Sequence, residues 1–416
     1  MNIAKIVFFG IFIHAMQAAN AQQIAVFITQ SITKHPSVSA AQSAIQESQF
    51  GVSAAQKQYW PTPSVQLEQV NPSNADPSYA VGGVSQVYRL QQPVWTWGRI
   101  GAGVDKSKLQ ASVAEVNLLE ARQTVAVDTL QAWLDFNGSN DKLGVIERSL
   151  RKYNELRELV QRRIEKGASA PSEISTTQAR VGQAEVQRVA FQTSLAMAKS
   201  RLQQLSGISP SPVPLPASLS TWAPVPSLDE VLAFSTAVQK AQLHVQVAEA
   251  EVSVKRAQAL PEVYARLEHQ KYPNGLNASR VFVGLQSSFG AGLSNIDEAA
   301  ALAKRIDTLR ADEEAKRMEM AQQFEAIHLS LKQAQEGLPA IERNVKATME
   351  SLDSMERQFL TGRRSWLDVL NAVRETLQSE LELVDAKVAI VRAQWRLALL
   401  VMPVEEAMRL YGKTGS

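Results

Sequence analysis

Two periodicities divide the chain. Between Ile24 and Gln58 the apolar and small residues recur at helical spacing, with alanine faces at Ala40, Ala41 and Ala44 and at Ala54 and Ala55, until Tyr59-Trp60-Pro61 ends the run. Ser64 to Val70 then alternates, Val65 and Leu67 to one side and Ser64, Gln66 and Glu68 to the other, which predicts a strand with one wet face. A turn-rich loop, Asn71-Pro72-Ser73-Asn74-Ala75-Asp76-Pro77, leads to a second strand over Val81 to Gln92, where Val84, Tyr88 and Leu90 oppose Ser85 and Arg89. Pro93 and Gly98 mark the exit into a helix from Arg99 to Lys166 that holds no proline and one Asn-Gly-Ser interruption at 137–139. Roughly 65 residues at about 1.5 Å each make a rod of about 100 Å. It carries two apolar seams, one through Ala111, Leu118, Val125 and Ala132 and one through Val113, Val116, Val127, Leu130 and Leu134. A two-stranded coiled coil needs one seam, so two seams predict a neighbour on each side, and rods packed on both sides build a wall that can close into a tube.

The plan is then repeated. Ser172 to Leu205 is helical, and Ile208 to Ser227 carries Pro210, Pro212, Pro214, Pro216, Pro224 and Pro226, an extended linker. After it come a helix over Leu228 to Leu260, a strand over Glu262 to His269, the turn Tyr272-Pro273-Asn274-Gly275 and a strand over Val281 to Leu285. A second long helix from Asn295 to Leu360 and a helix from Trp366 to Leu400 close the set. The stretch from Glu165 to Ile174, with its turn at Gly167, returns as Leu360 to Val369, with its turn at Gly362, roughly 195 residues later. Leu90-Gln91 matches Leu285-Gln286, Leu205 matches Leu400, and Pro61 before Val65 and Leu67 matches Pro261 before Val263, Ala265 and Leu267. The predicted organisation is therefore a first repeat at 22–207, a Pro-rich linker at 208–227, a second repeat at 228–402 and a tail at 403–416.

Four strands per chain cannot seal themselves in lipid, where an unpaired edge goes unsatisfied and bacterial barrels start near eight strands. Three copies supply twelve, enough to leave a pore. Trp60, Trp95, Trp97, Tyr264 and Phe289 fall near strand ends, where interfacial aromatic girdles sit.

Composition narrows the function classes. The net charge of +2 gives nucleic-acid binding no electrostatic support. With no cysteine there is no disulfide, thiolate metal site, cysteine nucleophile or lipidated N-terminal cysteine. Lys5, the apolar run Ile6 to Met16 and the small residues Ala19-Asn20-Ala21 read as a secretory signal peptide over 1–21, and no later run of about 20 apolar residues is long enough for a spanning helix. The five histidines, His14, His35, His244, His269 and His328, form no i, i+4 ligand pair. Gly101-Ala102-Gly103 lacks the third glycine of a nucleotide loop, and no nucleophile motif stands out. Neither an enzyme nor a cofactor is expected.

The run Leu90-Gln91-Gln92-Pro93-Val94-Trp95-Thr96-Trp97-Gly98-Arg99-Ile100 resembles the strand-to-helix signature of TolC-type outer-membrane channels, through Gln92, Pro93, Trp95, Trp97, Gly98 and Arg99. Its Trp-Thr-Trp-Gly-Arg-Ile form resembles the branch that serves adhesin-exporting type I secretion systems. The resemblance covers the whole mature chain. It implies a mainly α fold with a small β part: long antiparallel helical hairpins forming a trimeric periplasmic α-barrel, continuous with a shared twelve-stranded barrel in the outer membrane. Its implied partners are two further copies, a periplasmic adaptor (membrane fusion) protein, an inner-membrane ABC transporter and outer-membrane lipid. An efflux-pump component working with an RND-type pump, for drugs or metals, is the alternative. A non-pore periplasmic coiled-coil adaptor is a third reading.

The resemblance also implies a gate at the second glycine turn. The family pattern Tyr-x-x-Gly-x-Arg-x-x-x-Asp-x-x-Asp stands here as Phe359, Gly362, Arg364, Asp368 and Asn371, so one acidic ring is kept and the second is neutral. Ser172 and Glu173 of the first repeat occupy the positions of a hydroxyl and an acid that hold the closed state, which implies an Arg364–Glu173 lock between neighbouring coiled coils. Phe359 lacks the usual phenol and its hydrogen bond of about 1 kcal/mol, so an easier-opening gate is expected. Three copies of Asp368 around a narrow lumen would repel one another and attract cations, although an acid at a helix start is also favoured by the helix dipole alone.

Overall fold

The computed structural model describes residues 24–70, 82–213, 225–287 and 294–411. The signal peptide, Phe289 and part of the Pro-rich linker lie outside the described residues. The chain forms two compact units, each built from both repeats: Met1–Ser39, Leu119–Ser235 and Glu319–Ser416 make the first, and Ala40–Leu118 and Thr236–Met318 the second.

In chain order the elements are α1 (24–34), α2 (Pro36–Lys57), β1 (Thr62–Val70), β2 (Gly83–Trp95), α3 (Arg99–Glu165), α4 (Ser172–Ser206), α5 (Leu228–Phe234) and α6 (Thr236–Gln258). They continue with β3 (Glu262–Lys271), β4 (Asn277–Gln286), α7 (Ser294–Leu360), α8 (Trp366–Val401) and α9 (Val404–Tyr411). Two predicted helices are each broken in two. The first stops before His35, because Pro36 cannot continue it and instead opens α2, a position where its missing N–H costs nothing. The helix predicted over Leu228 to Leu260 is interrupted at Ser235, which leaves the helical region with ψ 114 after α5 has been started by a Ser227–Glu230 capping box.

The predicted interruption at 137–139 does not occur, and α3 runs through it. Asn137 is buried, its Nδ2 donating to the Trp133 carbonyl at 2.9 Å and its Oδ1 accepting the Val213 N–H at 2.9 Å. The residue that looked like a helix breaker thus holds the start of the Pro-rich linker. Gly138 lets α8 come close, for a Cβ there would stand 3.0 Å from Val388 Cγ2.

In the second unit the strands form one antiparallel sheet in the order β1-β2-β3-β4. The register pairs Pro63, Leu90, Leu267 and Val281 across one face and Ser64, Arg89, Glu268 and Arg280 across the other. Alternation therefore produces an apolar face (Val65, Leu67, Leu90, Val263, Leu267, Val281, Val283, Leu285) and a polar one. The apolar face is bare: Val281, Val283 and Leu285 are 77%, 78% and 72% exposed. On the polar face Ser85, Val87, Glu268 and Gln270 are buried against one another. Tyr264 pairs with Gly284 on that polar face, and Trp60 and Trp95 are exposed.

In the first unit α8 is the central helix, with Trp366, Val369, Leu370, Val373, Leu377, Val384, Val388, Ile390, Val391, Trp395 and Leu397 buried at helical spacing. One core cluster joins Val231 of α5 to Phe324, Ile327 and Leu331 of α7 and Ile390, Ala393 and Leu397 of α8. Ion pairs tie α3 to its neighbours along its length: Lys142–Asp385 at 2.6 Å, Arg148–Glu380 at 3.0 Å and Lys152–Glu356 at 2.7 Å.

Candidate functional site

Both repeat turns end their long helices in the same way. The Gly167 N–H donates to the Ile164 carbonyl and the Ala168 N–H to the Arg163 carbonyl, each at 2.8 Å. The Gly362 N–H donates to the Phe359 carbonyl and the Arg363 N–H to the Gln358 carbonyl, each at 2.9 Å. This is the Schellman arrangement, and its left-handed residue is glycine in both repeats, with φ 71° at Gly167 and 76° at Gly362.

The starts of the following helices differ. Helix α8 opens on a capping box, the Ser365 hydroxyl accepting the Asp368 N–H at 3.2 Å and the Asp368 Oδ2 accepting the Ser365 N–H at 3.1 Å. Hydrogen bonding to Ser365, through its side chain and then its backbone, holds the Asp368 carboxyl below the usual aspartate range. Desolvation works against this, and the Arg364 charge adds to it. Helix α4 begins after Pro171 with no side-chain cap, and Ser172 is exposed in its first turn. Asn371 is half-buried one turn beyond Asp368 on α8.

Within one chain Arg364 and Glu173 do not pair. Arg364 is exposed and its Nε donates to Gln358 Oε1 at 3.4 Å, while Glu173 Oε2 is buried with no hydrogen-bond partner. The turns are joined by other residues, one from each of four helices. The Arg163 guanidinium of α3 lies 4.7 Å from the centre of the Phe359 ring of α7. That ring meets Trp366 of α8 at 4.9 Å, and Trp366 Nε1 donates to Thr177 Oγ1 of α4 at 2.7 Å. The Thr177 hydroxyl in turn donates to the Glu173 backbone carbonyl at 2.8 Å. Phe359 and Trp366 are 5% and 3% exposed. Sequence reasoning missed Arg163, Trp366 and Thr177. The available signal was Trp366 itself, a large ring placed directly after a capping serine where the first repeat has Pro171 after Ala170.

The strand-to-helix residues are brought together in the second unit. Pro93 and Trp95 span a register shift at the end of β2, where proline offers no N–H to the ladder. Gln92 Nε2 donates to the carbonyls of Tyr59 (2.8 Å) and Pro93 (2.9 Å). Trp97 and Gly98 turn the chain with φ 53° and 81° in succession, and Trp97 Nε1 donates to the Pro261 carbonyl at 2.7 Å, which secures the unusual backbone of a non-glycine residue. Trp95 and Trp97 meet edge to face at 5.9 Å, and Arg99 pairs with Glu262 at 2.6 Å. The signature thus fixes the entry of α3 to the first residue of β3.

These arrangements hold side chains still and position charge; among the described residues no group of histidines and carboxylates is placed to hold a metal ion. No described helix is long and apolar enough to cross a membrane. The model for the family described as "Outer membrane efflux protein" matches residues 27–208 and 227–401. The nickel and cobalt resistance protein CnrC of Cupriavidus metallidurans is 25% identical over 306 residues, covering 70% of this chain and 71% of that protein. The alkaline protease secretion protein AprF of Pseudomonas aeruginosa is 24% identical over 340 residues, covering 76% and 69%. The outer membrane protein VceC of Vibrio cholerae superposes with a TM-score of 0.79 at 17% identity, covering 93% of this chain and 96% of that one. The fold is that of a TolC-type channel of the outer membrane rather than of an enzyme, and the chain belongs to the outer membrane efflux protein family.

Proposed function

We propose that three copies of this chain close a twelve-stranded barrel in the outer membrane and form the exit duct of a tripartite transport system. The observation that carries this reading is the sheet: among the described residues β1 and β4 are open edges, and nothing covers Val281, Val283 and Leu285 of the apolar face. A lone four-stranded sheet of this kind is satisfied neither in water nor in lipid. Mature protein purified in detergent should run as a trimer and conduct ions in planar bilayers; a soluble monomer without conductance would end this reading and leave the non-pore adaptor.

The cargo we favour is a large secreted adhesin, delivered by an ABC transporter through a periplasmic adaptor. Support comes from the Trp95-Thr96-Trp97-Gly98-Arg99-Ile100 run and from likeness to a protease secretion protein. Likeness to a nickel and cobalt resistance protein supports the alternative, an outer-membrane component of a drug or metal efflux pump. Deleting the gene separates them. Loss of surface adhesin with unchanged metal and drug tolerance supports secretion, and the reverse pattern supports efflux.

We further propose that the periplasmic gate is formed by Asp368, Asn371, Arg364, Phe359, Glu173 and Ser172 around the turns at Gly167 and Gly362. Arg364 is exposed and the half-buried Glu173 has an unpartnered Oε2, so a pairing between neighbouring chains requires the Glu173 carboxylate to turn outward. Arg364→Ser should then raise the leakage of large antibiotics into cells, and unchanged leakage counts against the lock.

A further inference from the structure

The polar face of the sheet carries a charge pattern that sheet stability does not require. Ser64, Arg89, Glu268 and Arg280 stand in one row across β1 to β4, and Thr62, Gln91, Arg266 and Phe282 stand in the next. Arg89 Nε meets Glu268 Oε2 at 2.7 Å, and Arg266 Nε meets the same oxygen at 3.8 Å. The Glu268 side chain is 9% exposed, so one buried carboxylate is shared by two guanidiniums. Arg280 stands opposite it on β4, donates to the Tyr272 hydroxyl at 2.8 Å, and is exposed. Two guanidiniums therefore share one carboxylate and a third arginine stands in the same row, a surplus of two positive charges per chain. The other acids of this face do not cancel it: Glu262 is taken up by Arg99, and Glu68 stands two rows away opposite Ser85.

Each arginine is also held in place. The Arg266 guanidinium lies 4.6 Å from the centre of the Phe282 ring and 5.8 Å from that of Tyr264, and Arg89 Nη1 donates to Gln66 Oε1 at 2.6 Å. A sheet built only for stability would gain more from apolar residues of similar volume than from a partly buried ion cluster. Fixed guanidiniums on an open polar face do something that apolar residues cannot, which is to set the sign of the potential in front of them.

We infer that Arg89, Arg266, Arg280 and Glu268 form an anion-attracting collar that sets the charge selectivity of the barrel, an inference that rests on the trimeric-duct reading. Three copies repeat the surplus around a lumen with low-dielectric walls, where the field is concentrated. The collar favours small anions and acidic segments of a passing chain. Its sign is opposite to that of Asp368 at the proposed gate.

The test is the reversal potential of reconstituted trimers under a potassium chloride gradient. Arg266→Gln and Arg89→Gln should lower the chloride-to-potassium permeability ratio by about twofold or more, while Glu268→Gln should raise it. Opposite signs from partners in one cluster separate a field effect from a loss of structure. Arg280→Gln breaks no ion pair and should lower the ratio without risk to the fold. A conducting trimer whose ratio ignores Arg280→Gln and the other three changes, or moves the same way in all of them, overturns the collar alone. A wild-type protein that never conducts overturns the duct reading and the collar with it.

Discussion

Trp366 carries more of the turn than the charged residues around it. It closes the chain Arg163–Phe359–Trp366–Thr177, in which a cation over a ring is worth about 0.5–2 kcal/mol and an aromatic pair about 0.5–1.5 kcal/mol beyond burial. Both contacts are made by the ring and would also be made by a phenol at that position, so they leave the expected loss of about 1 kcal/mol as it stands. Trp366→Phe keeps a ring against Phe359 but loses the donor to Thr177. It should cost about 1 kcal/mol, and Phe359→Ala about 3–5 kcal/mol, read as thermal unfolding in detergent by circular dichroism. Antibiotic leakage should rise in the same order. Asp368 differs because its carboxyl is held down by Ser365 and Arg364. A depressed value means that the stabilisation of the α8 start is complete above the ordinary aspartate range and is lost only as pH falls through the depressed value. Block of the channel by multivalent cations should therefore be constant from neutral to mildly acidic pH and should disappear in Asp368→Ala at every pH. Block that fades in mild acid, or survives the substitution, would remove Asp368 from the lumen and leave it as a helix cap.

At the scale of elements, the strands and long helices were legible because their periods of two and 3–4 survive over many residues, and the two glycine turns because only glycine suits their left-handed geometry. The breaks were less so. Pro36 and Ser235 interrupt runs whose apolar spacing continues on both sides; Pro36 was a visible stop that the periodicity outweighed, whereas only the backbone shows the break at Ser235. Asn137 was misread for the opposite reason: its helix-breaking preference is overridden once its amide is used by the Trp133 carbonyl and the Val213 N–H. Pairing of β2 with β3 was beyond reading too, since nothing local states which edge of one hairpin meets the other. At the candidate gate, the turn glycines and Asp368 were found by their repeat and pattern, whereas Arg163 and Thr177 lie within ordinary helical sequence and reveal themselves only through what they touch. The Asn137 reading has its own check. Asn137→Ala leaves the Val213 N–H without its acceptor and should cost about 1–3 kcal/mol. Asn137→Asp should cost more, because a buried acid would face the Trp133 carbonyl. Equal stability of the two variants and wild type would mean that the linker is held elsewhere.

At the scale of the whole molecule, the question is which edges meet. The order β1-β2-β3-β4 leaves β1 and β4 as the only strands of the sheet with a free side, so a ring of three sheets must pair β4 of one chain with β1 of the next. Neighbouring strands lie about 4.8 Å apart, within reach of a short thiol cross-linker. The chain has no cysteine, so introduced thiols meet no background. Leu67→Cys on β1 and Ser279→Cys on β4 both replace exposed residues on the bare apolar face. The two strands are hydrogen-bonded neither to each other nor to a common partner within one chain, so a cross-link between them has to come from a second copy. The double variant treated in native outer membranes should give covalent dimer and trimer bands on denaturing gels, while neither single variant gives a trimer. If the single variants cross-link equally well, copies meet edge to like edge, the ring cannot close, and the apolar face must be covered by something other than lipid.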